Sequence, residues 1–598
     1  MSADETGVTD IAVRWLTGFE AALSAPTPAA LEDMFAPDCY WRDVLALTWD
    51  LETVHKPRPV AERVWRENRV AAVSSVALDG AAPPPARVDR VGRDCIEAYF
   101  LLETGVGRGR GIVRLIAGEA GPDDWRAWTL LTSLEELTGH EEAIGDRRPV
   151  GQSYSRDFQG PNWLDKRMAA LAYADRDPTV LVVGGGQAGL AIAARLTQLG
   201  VDALIIDRHA RVGDNWRKRY HALTLHNQVH VNHLPYMPFP PNWPVYIPKD
   251  KLANWFEHYV EAMELNFWTR TELVEARFDD DRRRWSAVLR DAEGDVRTLS
   301  PKHIVMATGV SGIPNMPDLP GLDAFAGEVI HSGRYADGED WRGKSAIVVG
   351  TGNSGHDVAQ DLASSGAAVA MVQRSPTYIV SIEPSAQLPY VLYDGGRSLE
   401  DTDLIALSMP MPLMREAHVS YAVKAGELDA DLLAGLEGIG FRLDDPEGHS
   451  GWQFKYLTRG GGYYFNVGCS DMLIDGKIDL VQFSDIETFT EHGLTRADGG
   501  EIKADLIVLA TGYQPQENLV EQLFGTDVKD RVGPIWGFGD QMELRNMYCR
   551  TGQPGLWFMG GSFAQCRINS RYLALQIKAC EAGMISPEKS SPDAPAPA

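Results

Sequence analysis

Two glycine-rich segments carry the most specific chemistry in this sequence. In the first, TVLVVGGGQAGLAIAARLTQLGVDALIIDRH, Gly184, Gly186 and Gly189 have the spacing G-x-G-x-x-G. An apolar run ends at Val183 just before them, and a second apolar run ends at Asp207. These glycines permit a tight turn, close approach of the backbone to a pyrophosphate and close helix–strand packing, while Asp207 can accept hydrogen bonds from a ribose diol. The segment therefore predicts a dinucleotide site on a β-α-β unit.

The second segment, KSAIVVGTGNSGHDVAQDLASSGAAVAMVQRSP, repeats this pattern with Gly350, Gly352 and Gly355. Its second strand ends in Gln373-Arg374, where the first unit has an acid. A guanidinium at that position can bind a 2′-phosphate that a carboxylate would repel, so Arg374 favours NADPH. The simpler alternative is a surface arginine at the end of a strand.

Two such units with different strand ends indicate two different dinucleotides, FAD at the first and NAD(P)H at the second. Two further apolar strands end in small-residue turns, HIVMATG at Thr308-Gly309 and LIVLATGY at Thr511-Gly512. We interpret each turn as the end of a strand where the chain crosses between the nucleotide domains. The expected fold is α/β with two Rossmann-type dinucleotide-binding domains, preceded by an α+β domain.

A fingerprint before the second glycine turn carries a family resemblance. Phe325-x-Gly327-x-x-x-His331, continuing to Tyr335, is similar to the F-x-G-x-x-x-H pattern of class B flavoprotein monooxygenases, which include flavin-containing and Baeyer–Villiger enzymes. GDNWRKRY, LHNQVHVNHLPYMPFP and ATGY also match, and the resemblance extends from about residue 178 to 583. The fingerprint ends in Tyr-Ala-Asp, unlike either branch. Together with the N-terminal extension, this resembles the type II group, in which NADH is also accepted.

The resemblance implies roles for individual residues. Asn227 matches an asparagine beside the flavin and is the predicted hydrogen-bond donor in catalysis. His331 is the second candidate catalytic residue. For His331, the residues alone favour a structural element that couples the domains over a proton shuttle. On the cofactor side the resemblance implies Arg208, Asn215, Trp216, Asn353 and Ser354. Arg374 and Arg567 are candidates for the active-site arginine of the Baeyer–Villiger type.

The implied reaction is a monooxygenation with FAD, NADPH and O₂. The family forms a flavin C4a-(hydro)peroxide and inserts one oxygen atom into a small organic substrate, either a ketone or an amine or sulfide. Two alternatives remain open at this point. One is an NAD(P)H-dependent flavin oxidase or reductase of the same fold, and the other is a non-catalytic nucleotide-binding scaffold.

Composition limits the partners of the chain. Its 598 residues carry a formal net charge of −26, which disfavours nucleic acid and membranes. The six cysteines are scattered without C-x-x-C spacing, so we expect neither a metal site nor a redox-active dithiol, and a cytoplasmic location. We expect a small-molecule substrate and O₂ as partners, and a homodimer at family level.

The N-terminal region has its own pattern. A helical stripe at Ile11, Trp15, Phe19 and Leu23 precedes three alternating segments that predict antiparallel strands. FAPDCYWRDVLALTWD resembles the opening of the NTF2-like (SnoaL-like) family, which implies an α+β cone. A structural role is favoured over catalysis, and the candidate chemical residues are Asp43, His55 and Glu135.

These patterns predict seven segments. They are an NTF2-like domain (1–140), a linker (141–177), the first part of the FAD domain (178–325), the first part of the NAD(P) domain (326–385), a helical insertion or substrate wall (386–470), the end of the NAD(P) domain with a closing FAD segment (471–585), and a disordered tail (586–598).

Overall fold

The structure, a computed structural model, describes residues 3–121, 123–149, 158–309, 312–444 and 450–589. Part of the predicted linker (150–157) and most of the predicted tail (590–598) lie outside the described residues. The described end of the tail is attached to the body of the protein, since the Lys589 amide donates to the Thr551 carbonyl at 2.9 Å.

The N-terminal domain is one seven-stranded sheet with helices packed against it. Its helices are α1 (Ala3–Leu23), α2 (Ala29–Glu32) and α3 (Pro57–Ala71). Its strands are β1 (Phe35–Val44), β2 (Leu51–His55), β3 (Ser75–Leu78), β4 (Ala86–Arg90), β5 (Arg93–Glu103), β6 (Gly107–Ala117) and β7 (Trp125–Leu137). The strand order is β2-β1-β7-β6-β5-β3, with β4 also paired to β5.

The predicted N-terminal helix and the three predicted antiparallel strands of this domain are confirmed. Strands β5, β6 and β7 are antiparallel neighbours, and Trp15, Phe19 and Leu23 of α1 are buried in the core. The period of the apolar residues therefore identified both the helix and its inner face. The likeness of this domain to NTF2 stays a prediction.

The first nucleotide domain follows, with helix α4 preceding it. The helices are α4 (Trp163–Ala172), α5 (Gln187–Gln198), α6 (Asp214–Arg217) and α7 (Lys249–Ala262). The strands are β8 (Val180–Val183), β9 (Ala203–Ile206), β10 (Asn266–Trp268), β11 (Thr271–Asp279), β12 (Arg284–Asp291), β13 (Val296–Leu299) and β14 (His303–Met306). Strand β8 is buried along its whole length, as its continuous apolar run predicts.

The second nucleotide domain and the helical region lie between residues 328 and 474. The strands are β15 (Glu328–His331), β16 (Ser345–Val349), β17 (Ala368–Gln373), β18 (Tyr378–Ser381) and β19 (Tyr463–Asn466). The helices are α8 (Asn353–Ser364), α9 (Leu399–Ser408), α10 (Met411–Leu428), α11 (Ala430–Gly438), α12 (Gly451–Arg459) and α13 (Cys469–Ile474).

The last segment completes both nucleotide domains. Its strands are β20 (Asp479–Gln482), β21 (Ile486–Thr490), β22 (Gly493–Arg496), β23 (Glu501–Lys503), β24 (Leu506–Leu509) and β25 (Leu556–Phe558), and its helices are α14 (Gln516–Phe524), α15 (Thr526–Val532) and α16 (Phe563–Glu581). None of the helices in the described part of the chain is long and apolar enough to cross a membrane.

Two five-stranded parallel sheets result. The first has the order β10-β9-β8-β14-β25 and the second the order β15-β24-β16-β17-β20. Each glycine turn follows the central strand of its sheet, β8 in the first and β16 in the second. In such sheets ligands bind beyond the carboxyl ends of the strands, so the two turns mark one site in each domain.

Candidate active site

The first glycine turn has no room for side chains. Gly184 has φ of 110°, and a Cβ there would lie 2.6 Å from the Ala307 carbonyl oxygen. A Cβ on Gly189 would lie 1.9 Å from the Gly184 carbonyl oxygen. Helix α5 then begins at Gln187 with Gly186 as its N-cap, and no side chain caps it. The free amides at this helix end are suited to bind a pyrophosphate.

Asp207 lies at the end of β9 beside this turn. Its carboxylate accepts hydrogen bonds from the amides of Gly185 and His209, each at 2.8 Å. These bonds fix the carboxylate next to the turn and leave lone pairs for a ribose. Arg208 is exposed beside it, and the Asn215 amide lies 3.0 Å from the position of a Cβ on Gly186.

Two buried polar atoms near this turn lack a partner among the described residues. They are the indole Nε1 of Trp216 and the hydroxyl of Thr308. Buried donors are normally hydrogen-bonded, so each points to a group bound there. Trp216 also stacks on Phe563 at the start of α16, with ring centroids 6.2 Å apart. The donors, the aromatic rings and the glycine turn together fit FAD.

The second glycine turn repeats the first. Gly350 has φ of 122°, and its Cβ would lie 2.4 Å from the Ala510 carbonyl oxygen. A Cβ on Gly355 would lie 2.1 Å from the Gly350 carbonyl oxygen. Gly352 is the N-cap of α8, which begins at Asn353. Each turn therefore packs against the end of the neighbouring strand that the ATG segments form.

A cleft of 990 Å³ reaches from this second turn to Gln187 and Trp216 of the first unit, and its other lining residues include Asn353, Ser354, Thr511, Gly512 and Arg374. The Phe465 amide donates a hydrogen bond to the side-chain oxygen of Asn353 at 3.0 Å. The side-chain amide of Gln516 donates to the Gly309 carbonyl at 2.7 Å.

Cations missed by the sequence reasoning also line this cleft. They are Arg219 and, on helix α12, Lys455 and Arg459, all far from Arg374 in the sequence. No spacing in the sequence relates them to Arg374, so only the fold could identify them. Lys455 is paired with Asp444 at 2.5 Å, and Asp318 and Asp357 also line the cleft. The guanidiniums of Arg219, Arg374 and Arg459 are the positive charges that suit an anionic dinucleotide with a 2′-phosphate.

Asn227 lies where this cleft meets a second cavity of 660 Å³. Tyr456, Tyr463 and Ser562 line both spaces as well. The Asn227 amide donates to the Tyr390 hydroxyl at 3.2 Å, and Asn232 donates to the Asn227 carbonyl at 2.9 Å. Burial raises the pKa of Tyr390, so its hydroxyl stays protonated.

His331 makes two hydrogen bonds that use both ring nitrogens. Nδ1 accepts from the Gly333 amide at 3.1 Å, so Nε2 carries the proton and donates to the Gly512 carbonyl at 2.9 Å. Burial lowers the pKa of the ring, which keeps it neutral. His331 lines neither the cleft nor the cavity, and it ties the fingerprint strand to the Thr511-Gly512 turn.

Other candidates from the sequence lie away from both glycine turns. Arg567 is buried and forms a two-bonded ion pair with Asp403, outside the cavity at Asn227. Asp43 is enclosed by bonds from Leu47, Thr48 and Thr132, and burial raises its pKa to about 6. His55 pairs with Asp38 at the surface, and Glu135 pairs with Arg571 on α16.

Comparison with known proteins agrees with this arrangement. A family model described as pyridine nucleotide-disulphide oxidoreductase matches residues 181–392. None of the six cysteines of this chain forms a disulfide. The chain is 33% identical over 338 residues to the rice (Oryza sativa subsp. japonica) indole-3-pyruvate monooxygenase YUCCA1, covering 56% of this chain and 77% of that protein.

A second plant relative and a solved structure extend the comparison. The chain is 28% identical to the probable indole-3-pyruvate monooxygenase YUCCA10 of Arabidopsis thaliana, covering 56% of this chain and 82% of that one. Its fold is similar to NADP⁺-bound cyclohexanone monooxygenase from Rhodococcus sp. Phi1, with a TM-score of 0.50, 19% identity and coverage of 68% and 85%.

The two glycine turns, and the unpartnered donors at the first of them, fit the two dinucleotide cofactors that this family uses. The predicted monooxygenase family, the fold of the nucleotide-binding part, the enzyme class and the cofactors are confirmed, while the type II subgroup stays a prediction. The chain belongs to the class B flavoprotein monooxygenases, the FAD-dependent and NADPH-using family that includes the indole-3-pyruvate monooxygenases.

Proposed function

We propose that this monooxygenase transfers one oxygen atom of O₂ to a small organic molecule held in the 660 Å³ cavity. The observation that carries the proposal is the position of Asn227, which lines both this cavity and the 990 Å³ cleft at the second glycine turn. A substrate in the cavity and NADPH in the cleft would therefore meet at one amide side chain.

The bound FAD supplies the redox chemistry, and the protein supplies binding, orientation and exclusion of water. The two glycine turns would hold the pyrophosphates, Arg374 would hold the 2′-phosphate of NADPH, and Arg219 and Arg459 add positive charge to the same cleft. Asn227 and Tyr390 provide hydrogen bonds at the junction. Because such bonds strengthen in a water-poor site, they are suited to hold a reactive oxygen species until substrate reacts.

The size and walls of the cavity indicate an apolar substrate. Its volume lies within the ordinary range for small-molecule pockets, roughly 300–1,000 Å³. Met409, Met411 and Met414 line one side, and Tyr421 and Trp452 supply aromatic surface. Flexible thioethers with aromatic rings adapt to ligands of varied shape. The plant relatives are named for an aromatic substrate, indole-3-pyruvate, and a ring of that size suits these walls.

The test is a panel of ketones, sulfides and amines incubated with enzyme, NADPH and O₂, with oxygenated product measured directly. We expect product in proportion to O₂ consumed for at least one class. Stoichiometric H₂O₂ with every compound would indicate an oxidase, and reduction of an acceptor without O₂ would indicate a reductase. The same assays with NADH test its acceptance. The predicted homodimer and cytoplasmic location are tested by sedimentation and cell fractionation.

A further inference from the structure

The N-terminal domain lines the same cavity as the nucleotide-binding part. Arg42, Leu51 and the segment Asp89–Gly92 form one side of it. The opposite sides come from Asn227, from helices α9, α10 and α12, and from the start of α16. Removing this domain would therefore open the cavity to water.

Buried hydrogen bonds hold the domain in this position. The Arg42 guanidinium donates from Nε and Nη2 to the two carboxylate oxygens of Glu543, both at 2.8 Å. Thr53 donates to the same carboxylate at 2.7 Å, and Arg114 donates to the Ser408 hydroxyl at 2.8 Å. The Arg42 side chain is only 6% exposed. Such bonds are geometrically strict, which fixes the wall relative to Asn227.

The tip of the β4–β5 hairpin gives a second, independent sign that this wall is functional. Arg90 pairs with Arg93, so the turn has two residues, and both Val91 (φ 55°) and Gly92 (φ 72°) have positive φ. Asn-Gly is the favoured pair in such turns, and a β-branched residue there is strained. Valine is nevertheless present, lines the cavity and packs in a cluster with Leu413 and Met409. Strain of this kind concentrates at functional sites.

The charges on the cavity wall are compensated. Among the described lining residues the arginines are Arg42, paired with Glu543, and Arg90, which shares Glu97 with the buried Arg114. Asp89 lines the cavity as well, so three guanidiniums are balanced by three carboxylates. His418 also lines the cavity, and burial lowers its pKa to about 4, so it is neutral. A carboxylate bound here would lose its water without gaining an uncompensated cation, which is costly.

We propose that the N-terminal domain is the wall that determines substrate selectivity, and that its neutralised Arg42–Glu543 pair makes the cavity select uncharged, apolar substrates over carboxylates of equal size. This inference rests on the proposed oxygenation in that cavity. It also implies that the free acid of an aromatic 2-oxo acid is a poor substrate for this chain.

The experiment compares matched pairs of compounds on the full-length, FAD-loaded protein. The pairs are para-(methylthio)benzoate with its methyl ester and para-acetylbenzoate with its methyl ester, with product formation giving kcat/KM. We expect the esters to be favoured by at least about tenfold. Equal or greater efficiency with the acids overturns the inference. Absence of product from all four compounds and from the panel above removes the proposed function and this inference with it.

Substitutions test whether the Arg42–Glu543 ion pair causes the preference for esters over acids. Glu543→Gln leaves Arg42 without its counter-charge, and we expect the ester-to-acid ratio to fall by about tenfold. The double variant Arg42→Gln/Glu543→Gln removes both charges and should restore the ester preference. An unchanged ratio in Glu543→Gln protein that retains full FAD contradicts the role of the pair.

The hairpin tip supplies a variant that should not harm folding. Val91→Asn suits the turn, so Tm should be kept or raised, while the polar side chain should lower kcat/KM for the largest apolar esters several-fold. Val70→Asn is the matched control, because Val70 is an exposed residue of α3 and does not line the cavity. A substrate profile unchanged by Val91→Asn would overturn the assignment of this wall.

Discussion

The guanidinium of Arg567 and the carboxylate of Asp403 form two hydrogen bonds, each with a nitrogen–oxygen distance of 2.7 Å. The remaining terminal nitrogen donates to the carbonyls of Val231 and His233, both at 2.8 Å. Helix α16 is thereby joined to α9 and to the loop that follows Asn227. Arg567 is buried, its guanidinium nitrogens are hydrogen-bonded, and it does not line the cavity at Asn227, so we expect it to act by positioning this loop.

Replacing Arg567 by lysine should loosen this loop. A lysine keeps the charge but loses the planar pair of donors, so we expect kcat for product to fall about tenfold and the fraction of O₂ released as H₂O₂ to rise. Bound FAD should stay near one per chain. Arg571→Lys, one turn further along α16, is the control. If coupling of NADPH to product is the same in both variants, Arg567 does not position the loop.

Asn227→Asp tests the predicted donor at the junction. The change keeps the shape but removes the amide hydrogens and adds a negative charge, so NADPH oxidation should continue while most of the O₂ becomes H₂O₂. Tyr390→Phe removes the partner hydroxyl and should uncouple the reaction less severely. Product yield per NADPH is the measurement. A yield equal to that of the unaltered protein for Asn227→Asp would exclude this role.

The sequence could predict features formed by residues close together in the chain, but not contacts between distant residues. Gly184, Gly189 and Asp207 lie within one β-α-β unit, so spacing and apolar runs suffice to identify the turn. Arg567 and Asp403 are 164 residues apart, and no periodicity relates them. Arg42 and Glu543 are 501 residues apart, so the contribution of the N-terminal domain to the cavity required the tertiary structure. For the same reason, residues 386–470 could be predicted as a helical insertion or a substrate wall, but the sequence could not show that α9, α10 and α12 line the cavity together with Asn227.

Arg374→Gln tests which nicotinamide the second unit prefers. Losing a guanidinium that binds a 2′-phosphate should raise KM for NADPH about tenfold or more, with little change for NADH. Arg208→Gln, at the equivalent strand end of the first unit, should leave KM for NADPH unaffected. The ratio of kcat/KM for the two nicotinamides is the measurement, and an equal rise in both KM values would contradict selective binding of the 2′-phosphate.

Buried neutral histidines should make the protein less stable in acid. Burial lowers the pKa of His356 to about 4, whereas an unfolded histidine has a pKa of about 6.5. Between these values the unfolded chain binds a proton that the folded chain does not, so stability falls as pH falls from 6.5 to 4. His356 stacks on Tyr464 with centroids 3.9 Å apart, and His356→Phe keeps that stacking. The drop in Tm from pH 7 to pH 5 should be smaller in the variant. An equal drop would show that His356 is not responsible.

A matched pair of glycine substitutions separates the two nucleotide sites. A Cβ on Gly189 or Gly355 would lie within about 2.1 Å of a backbone carbonyl oxygen, so each alanine must displace its own turn. Gly189→Ala should yield protein with little bound FAD. Gly355→Ala should keep its FAD and flavin absorbance but lose most NADPH-dependent reduction, measured as bleaching without O₂. Since the two turns have the same geometry, a difference between the variants must come from the ligand that each turn binds. Loss of FAD from both variants to the same extent would contradict the assignment of separate sites.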